Sequence, residues 1–313
     1  MKQLITVALA VLTVSASVLC GCGSKDSSSS QTSDSSQAES SAASAETTQP
    51  VTDSQVQATG GKIHINDNAL GDIWITELEG VPVNKLSADG FTADESFKYY
   101  SENGQPASNE GVDVSSFSGD IDWAKVKESG IDFAMIRIGG RGYGDEGGLY
   151  TDDKAAENLQ GAQEAGIKIG AYFYSQATTN AEAEEEAEYA KEILGDVKLD
   201  YPLAFDWEIV KDDNARTDGV TSTQATECAV AFCEKVKSYG YIPMVYSPSR
   251  EFYFKFDLSR LKDYELWLVQ YANKPDFYYQ FSMWQYTESG HVDGIDGNVD
   301  LNISFKNTAD YAK

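Results

Sequence analysis

The chain has 313 residues, of which 41% are hydrophobic and 12% aromatic, enough apolar surface for a full-size core. Its formal charge of −26 at pH 7 argues against nucleic-acid binding and against docking on anionic lipid, since both need clustered Lys and Arg. The only two histidines, His64 and His291, are far apart in sequence, so a zinc site or a serine triad is a weak hypothesis. We therefore expect neither a metal nor a cofactor.

The first residues have the pattern of an export signal. Residues 1–22 read MKQLITVALAVLTVSASVLCGC, in which one Lys precedes an apolar stretch, Leu4–Leu19. This pattern predicts a secretory signal peptide over residues 1–21. The ending LCGC resembles the bacterial lipobox, which implies cleavage before Cys22 and a lipid on its thiol. An ordinary thiol at Cys22 is the alternative.

Residues 22–60 are rich in Ser, Ala and Thr and lack large apolar side chains until near their end. Such sequence cannot bury enough surface to order itself, so we predict a disordered tether. With a lipid on Cys22, the protein would be held at the extracellular face of the bacterial membrane and would face the cell wall. The lipid would then be its sole contact with the membrane.

Residues 61–110 contain short strand-like segments, among them GDIWITELEGVPV and ESFKYYSENGQPA. These segments are too few for an independent core. We predict that they form an N-terminal strap that packs on the main domain.

Residues 111–313 carry eight apolar segments with the composition of strands. They are GVDVSSF, IDFAMIRIGG, IKIGAYFYS, YPLAFDWE, YIPMVYS, ELWLVQYA, FSMWQYT and VDLNIS. Strands this apolar, alternating with helices, predict a parallel sheet covered on both faces, and eight of them predict a barrel. Between the fifth and sixth segments we expect only the short helical stretch LSRLKDY, and no helical pattern follows the sixth or seventh. The predicted fold class is α/β, an irregular (β/α) TIM-like barrel with missing helices in its second half.

Two of the predicted helices carry further local signals. Asn180 is expected to cap NAEAEEEAEYAKEILG, and Gly240 to end STQATECAVAFCEKVKSYG. Cys228 and Cys233 in the second helix are separated by an axial rise of about 7.5 Å, too far for a disulfide. We expect both to be free, buried thiols.

Polar and aromatic residues recur at the carboxyl ends of the predicted strands, and early in the last one. These candidate site residues are Asp113, Arg137, Tyr172, Tyr174, Asp206, Glu208, Tyr246, Gln270, Gln285 and Asp300. Carboxyl ends of strands form the active face of such barrels. Alternation along YPLAFDWE places Asp206 and Glu208 on one face, with Trp207 on the other. That pair alone fits a solvated strand end, but Asp113 and Asp300 on the same rim favour a catalytic site.

Paired acids beside aromatic rings suit glycoside hydrolysis. One acid protonates the leaving oxygen, the other stabilises or attacks the developing oxocarbenium centre, and rings pack on the sugars. The residues leave two points open. Arg137 could contact the acids or a substrate carboxylate, or form a buried ion pair. Trp284 and Tyr286 could bind sugars or belong to the core.

Four segments resemble the glycoside hydrolase family 25 lysozymes, in order and at the expected spacing over residues 111–305. They are GVDVSSFSGDIDWAKVKESGIDFAMIRIGGRGYG, GIKIGAYFYSQA, YPLAFDWE and MWQYTESGHVDGIDGNVDLN. The resemblance implies hydrolysis of the β-1,4 bond between N-acetylmuramic acid and N-acetylglucosamine in peptidoglycan glycan strands, the expected partner. It implies that Glu208 is the general acid, Asp206 its carboxylate partner, and Asp113 and Asp300 further active-site acids. Tyr172 matches a family tyrosine, whereas Phe173 stands where many members have His.

The resemblance leaves the mechanism and two other functions open. Asp206 either attacks the sugar or orients the substrate's own N-acetyl group for attack. A non-catalytic glycan-binding lipoprotein on the same fold is the main alternative, and the intact acid pair argues against it. A solute-binding lipoprotein would have two lobes around a cleft, whereas this chain predicts one barrel.

Overall fold

The computed structural model describes residues 58–59, 61–67, 69–210 and 214–311. The predicted signal peptide, Cys22 and nearly all of the predicted tether lie outside the described residues. Among the residues that are described, no helix is long and apolar enough to cross a membrane.

The segment that precedes the barrel forms two small antiparallel sheets. The first contains β1 (Ala58–Thr59), β2 (Lys62–Asp67) and β3 (Gly71–Thr76), and the second contains β4 (Phe91–Ala93), β5 (Lys98–Glu102) and β6 (Gln105–Pro106). A 3-10 turn at Ala88–Gly90 joins the two. We call residues 61–108 the strap, since the next strand begins at residue 109.

A nine-stranded sheet follows, and eight of its strands close into a barrel. The strands are β7 (Asn109–Val114), β8 (Phe133–Arg141), β9 (Leu149–Thr151), β10 (Lys168–Ser175), β11 (Leu203–Trp207), β12 (Pro243–Pro248), β13 (Glu265–Val269), β14 (Met283–Gly290) and β15 (Val299–Ser304). Pairing runs from β10 through β15 to β7 and β8, and β8 pairs with β10 to close the ring. All eight predicted strands are present, and the predicted irregular barrel is confirmed.

Two features of the sheet were not predicted. The expectation of a parallel sheet is wrong at β15, which runs antiparallel to both β14 and β7. The link between β14 and β15 is short, and a parallel connection needs a crossover of about a dozen residues or more. The short strand β9 is also new, and it pairs antiparallel with the end of β8.

Seven helices lie among the described residues. They are α1 (Trp123–Glu128), α2 (Ala155–Glu164), α3 (Asn180–Leu194), α4 (Ser222–Ser238), α5 (Ser249–Phe254), α6 (Leu258–Leu261) and α7 (Thr308–Tyr311), and Ser116–Ser118 forms a 3-10 turn. The cap of α3 is Thr179 rather than Asn180, because the Thr179 side chain accepts a hydrogen bond from the backbone of Glu182. Gly240, just past the end of α4, adopts a φ of +87°. Cys228 and Cys233 of α4 are free and buried, as predicted.

Apolar side chains fill the lower part of the barrel, around the amino ends of the parallel strands. The packed residues include Phe133, Met135, Met244 and Met283, all fully buried. Tyr201 and Tyr311, whose rings lie 5.3 Å apart, belong to the same cluster. Because this layer is packed, space for a ligand remains only toward the carboxyl ends of the strands.

The strap covers the outer face of the barrel where helices are missing. The ring of Phe91 lies edge-on to Trp284 at 5.7 Å and to Phe305 at 6.0 Å. Val83 forms an isolated β-bridge with Tyr279, in the link between β13 and β14. Trp284 and Tyr286 are 0% and 5% exposed on this face, so they are core residues rather than sugar-binding rings.

Candidate active site

A cavity of about 150 Å³ lies at the carboxyl ends of the barrel strands. It gathers most of the predicted site residues from five parallel strands and from β15. Its lining is Asp113, Arg137, Tyr172, Tyr174, Asp206, Glu208, Tyr246, Trp267 and Asp300. Only Trp267 was not predicted, although it occupies an inward-facing position of β13.

Asp206 and Glu208 reach this cavity from β11 and the residue that follows it. Asp206 is 4% exposed, whereas Glu208 is partly exposed, and their carboxyl groups are hydrogen-bonded to each other. Burial, and then the charges of Glu208 and Asp113, raise the pKa of Asp206 well above its ordinary value. The Asp206 Oδ1 is buried and has no hydrogen-bond partner among the described residues. Trp207 points outward and packs edge-on against Phe256 at 5.7 Å.

Asp113 and Asp300 form a second carboxyl pair. They are directly opposite each other where β7 and β15 run antiparallel. Burial raises the pKa of Asp113. Burial, followed by the charge of Asp113, also raises the pKa of Asp300 to about 8. The pair therefore favours a shared proton, since two adjacent charges in a buried site repel each other.

Two buried carboxamides hold Asp113. Its Oδ2 accepts hydrogen bonds from Gln285 Nε2 at 2.9 Å and from Asn302 Nδ2 at 2.7 Å. The Asn302 Oδ1 in turn accepts a bond from Trp267 Nε1 at 2.8 Å. Asn302 was missed from the sequence, although it lies two residues after Asp300 and so shares its face of β15.

Arg137 lines the cavity and also forms a buried ion pair. Its Nε and NH2 groups both lie 2.7 Å from Asp152 Oδ2, and the Asp152 side chain is fully buried. NH2 also donates to Ser116 Oγ at 3.2 Å. The ring of Phe117 is 89% exposed and lies 4.8 Å from the guanidinium. Asp152 lies just past β9, and no sequence pattern linked it to Arg137.

Tyrosine rings form much of the cavity wall. Tyr172 and Tyr246 both contact Trp267 edge-on, with ring centres 5.9 and 4.5 Å apart. Burial raises the pKa of Tyr172, Tyr174 and Tyr246, so their hydroxyls remain protonated donors. Tyr150 of β9 also lies near Asp206, whose charge adds to burial in raising its pKa. Tyr150 was not predicted as a site residue.

Two predicted substrate-binding glutamines do not line the cavity. Gln285 is fully buried beneath it. The Gln270 side chain instead bonds to the backbone and side chain of Asp276, which folds the link after β13. Alternation explains this placement, because Trp267, Val269 and Tyr271 share the inner face whereas Gln270 points away.

Two further points from the sequence concern Phe173 and the possibility of a metal site. Phe173 stands where the resemblance noted above implies His in many family members. It is fully buried on the outer face of β10, where its ring lies 6.5 Å from that of Phe232. Within the described part of the chain, no group of three or more His, Cys, Asp or Glu residues could hold a metal ion. The cavity therefore presents carboxyl groups, one arginine and aromatic rings to a ligand.

Comparison with known proteins identifies the family. The sequence model of the family described as Glycosyl hydrolases family 25 matches residues 112–295, more than half of the chain. The chain belongs to glycosyl hydrolase family 25. The autolytic lysozyme of Clostridium acetobutylicum is 32% identical over 193 residues, which cover 61% of this chain and 54% of that protein. The match thus spans about half the length of that relative.

Solved structures of family 25 and related enzymes share the barrel. The spore cortex lytic enzyme SleM of Clostridium perfringens superposes with a TM-score of 0.55 at 23% identity, covering 65% of this chain and 69% of that one. A family 25 glycosyl hydrolase from Bacillus anthracis gives a TM-score of 0.54 at 21% identity, covering 70% and 97%. At these identities the structural likeness shows a shared barrel fold and nothing more.

Proposed function

We propose that this protein is a muramidase, a peptidoglycan hydrolase that cleaves the β-1,4 bond between N-acetylmuramic acid and N-acetylglucosamine. The observation that carries the proposal is the hydrogen-bonded pair of Asp206 and Glu208 in the cavity of a family 25 barrel. A glycosidase of the usual kind needs two such carboxyl groups beside the scissile bond. The relative named an autolytic lysozyme supports the same substrate.

The two acids have different surroundings, which suit different roles. Glu208 is the more exposed and follows the strand end, where it can protonate the leaving oxygen as general acid. Asp206 lies deeper, and its unpartnered Oδ1 can accept a bond from the substrate or attack it. Tyr172, Tyr174 and Tyr246 supply protonated hydroxyls and ring faces for the sugars.

Muropeptide mapping tests the bond that is cleaved. The chain without its first 21 residues, carrying Cys22→Ser, is incubated with purified peptidoglycan, and the products are analysed by mass spectrometry. We expect products with N-acetylmuramic acid at the reducing end. Products with N-acetylglucosamine at the reducing end would assign a different bond and overturn the proposal.

Two variants test the roles of the acids. Glu208→Gln should lower turnover by at least about 1,000-fold while glycan binding is kept, and Asp206→Asn should have a comparable effect. If wild-type protein binds glycan strands but releases no products, the chain is a glycan-binding protein instead. The four intact acids of the cavity favour the enzyme over that alternative.

We propose further that the protein is a lipoprotein on the outer face of the bacterial membrane, held through Cys22. The support is the sequence LCGC after the apolar stretch and the Ser-rich segment that follows. Labelled palmitate should enter the wild-type protein and the variant Cys20→Ser but not Cys22→Ser. Equal labelling of Cys22→Ser would contradict the lipid anchor.

A further inference from the structure

We propose that Tyr271 is a positioning residue of the active site, which orients Gln285 and thereby the Asp113–Asp300 pair, and that the strap holds Tyr271 in place. The proposal rests on the hydrolase function proposed above. The sequence predicted no role in the active site for either Tyr271 or the strap. The geometry supports it in two steps.

The first step runs from Tyr271 to the acids. The Tyr271 hydroxyl donates a hydrogen bond to Gln285 Oε1 at 2.9 Å. The Nε2 of the same carboxamide donates to Asp113 Oδ2 at 2.9 Å and to Asp300 Oδ2 at 3.4 Å. Gln285 is fully buried, so its carboxamide has no water to replace a lost partner. One side chain thus connects a half-exposed tyrosine with the buried Asp113 and the partly buried Asp300.

The carboxamide must keep its orientation to serve the acids. If it turned by half a rotation, its oxygen would face the two carboxyl groups and its N–H groups would face hydroxyls. Two hydroxyls oppose that turn by donating to Oε1. Tyr271 does so at 2.9 Å, whereas Tyr246 lies farther away at 3.3 Å. Tyr271 therefore contributes the shorter of the two bonds that fix Gln285.

The second step runs from the strap to Tyr271. Tyr271 is the second residue of the link between β13 and β14, residues 270–282, where no helix braces the chain. The strap takes over that support at several points. Lys98 Nζ lies 3.5 Å from both the backbone oxygen and the side-chain oxygen of Asn273, two residues beyond Tyr271. Farther along, the backbone N–H of Asn84 donates to the oxygen of Tyr278 at 2.8 Å.

The strap and the link are joined like two strands. The N–H of Gln280 donates to the oxygen of Pro82 at 2.9 Å, and Val83 forms a bridge with Tyr279. Within the link, Gln270 bonds to Asp276 through both its side-chain oxygen and nitrogen. The β13–β14 link is thus held by hydrogen bonds within itself and by hydrogen bonds to the strap. Together these bonds fix the position of the Tyr271 hydroxyl.

Steady-state kinetics of Tyr271→Phe on soluble, uncrosslinked glycan oligomers test the first step. The variant keeps the ring and loses the hydroxyl. We expect kcat to fall about tenfold, the effect of one lost hydrogen bond in the transition state, with KM changed less than about twofold. The control is Tyr239→Phe at the end of α4, just before the amino end of β12 and so away from the cavity, which should match wild type. An unchanged kcat, or a loss confined to KM, would overturn the positioning role.

Double variants separate positioning from direct substrate contact. In a Gln285→Leu background, Tyr271→Phe should cause no further loss, because the carboxamide it orients is gone. If the double variant instead lost kcat by the product of the two single losses, the Tyr271 hydroxyl would act on the substrate itself. The role of the strap is tested in the same way with Lys98→Met. This substitution should lower kcat by about twofold to fivefold in the wild-type background and cause no further loss in the Tyr271→Phe background. A loss that persists there would overturn the role of the strap.

A readout without turnover keeps this test separate from the proposed function. The carboxyl ¹³C signal of Asp300 is titrated by NMR in wild type and in Tyr271→Phe. The charges of Asp113, Glu208 and Glu288 act on Asp300, and Asp206 and Arg137 line the same cavity. All five groups are the same in both proteins. The titration midpoint should rise in the variant, since Gln285 no longer donates reliably to the ionised pair. An unshifted midpoint would overturn the proposal even if the protein proved to be inactive on peptidoglycan.

Discussion

Asp300 lies directly opposite Asp113 because β15 runs antiparallel to β7. In a wholly parallel barrel, a residue early in the last strand would lie at the amino end, far from the cavity. Because β15 is reversed, its second residue, Asp300, lies at the carboxyl ends of the parallel strands, beside Asp113 of β7. The two carboxyl groups then lie side by side, Asp113 buried and Asp300 partly buried, and both have a raised pKa.

Replacing Asp300 should stabilise the protein at alkaline pH. Burial and the charge of Asp113 raise the pKa of Asp300 from 3.8 to about 8. A raised pKa means that the acid supports the fold fully below about pH 4, and that this support is lost as the pH rises through 8. Asp300→Asn mimics the protonated form, so its Tm should exceed that of wild type by about 2–4 °C at pH 9.

Thermal unfolding at two pH values checks this prediction. At about pH 2.5 the Tm of Asp300→Asn and wild type should agree, since Asp300, whose ordinary pKa is 3.8, is then largely protonated in both the folded and the unfolded wild-type protein. A variant that is less stable than wild type at pH 9 would show that the ionised carboxyl group contributes to stability. Lower activity with higher stability would be the usual trade-off at an active site.

Asp152 should be one of the more important charges for stability. It is fully buried and is the ion-pair partner of Arg137, whose side chain is 13% exposed. Asp152→Asn leaves that guanidinium without its counter-charge and should lower the free energy of unfolding by about 3 kcal/mol. The matched control is Asp120→Asn, at a surface bridge to Lys154 where the Asp120 side chain is 90% exposed. In urea denaturation the control should leave the midpoint nearly unchanged, because an exposed ion pair contributes little to stability. Equal effects of the two substitutions would contradict the argument.

The strands and most of the site could be predicted from sequence because both depend on local patterns. Apolar runs mark the strands, and alternation fixes which side chains face inward. Asp206 and Glu208 were placed in this way, and both line the cavity. Alternation would also have favoured Tyr271 over Gln270, since Tyr271 continues the inner face of β13 past its end at Val269.

The partners of these residues could not be predicted, because they depend on pairing between distant segments. Asp152 meets Arg137 only because β9 folds back on β8. The reversed direction of β15 and the contacts between the strap and the β13–β14 link have the same origin. A pattern within one strand carries no information about which strand lies beside it.

The strap and the barrel should unfold together. Phe91 of the strap packs against Tyr100 at 4.8 Å and against Trp284 and Phe305 of the barrel. Phe91→Ala should cost about 2–3 kcal/mol, and amide exchange measured in mild denaturant should accelerate equally in β5 and β14. Leu70→Ala, at a side chain that is 57% exposed, is the control and should leave exchange unchanged. Faster exchange confined to β5 would mean that the strap opens independently.

Gly111 should be intolerant of any side chain, because it leaves room for a ring inside the barrel. A Cβ at this position would lie 2.3 Å from the Phe133 ring, which stacks on Tyr201 at 4.5 Å and so cannot move away. Gly111→Ala should therefore lower the free energy of unfolding by about 2–3 kcal/mol. Gly144→Ala is the control, since a Cβ there meets nothing within 4 Å. In a Phe133→Leu background the cost of Gly111→Ala should shrink, because the smaller side chain makes room. If the two substitutions instead added independently in urea denaturation, the clash with Phe133 would not be what excludes a side chain at Gly111.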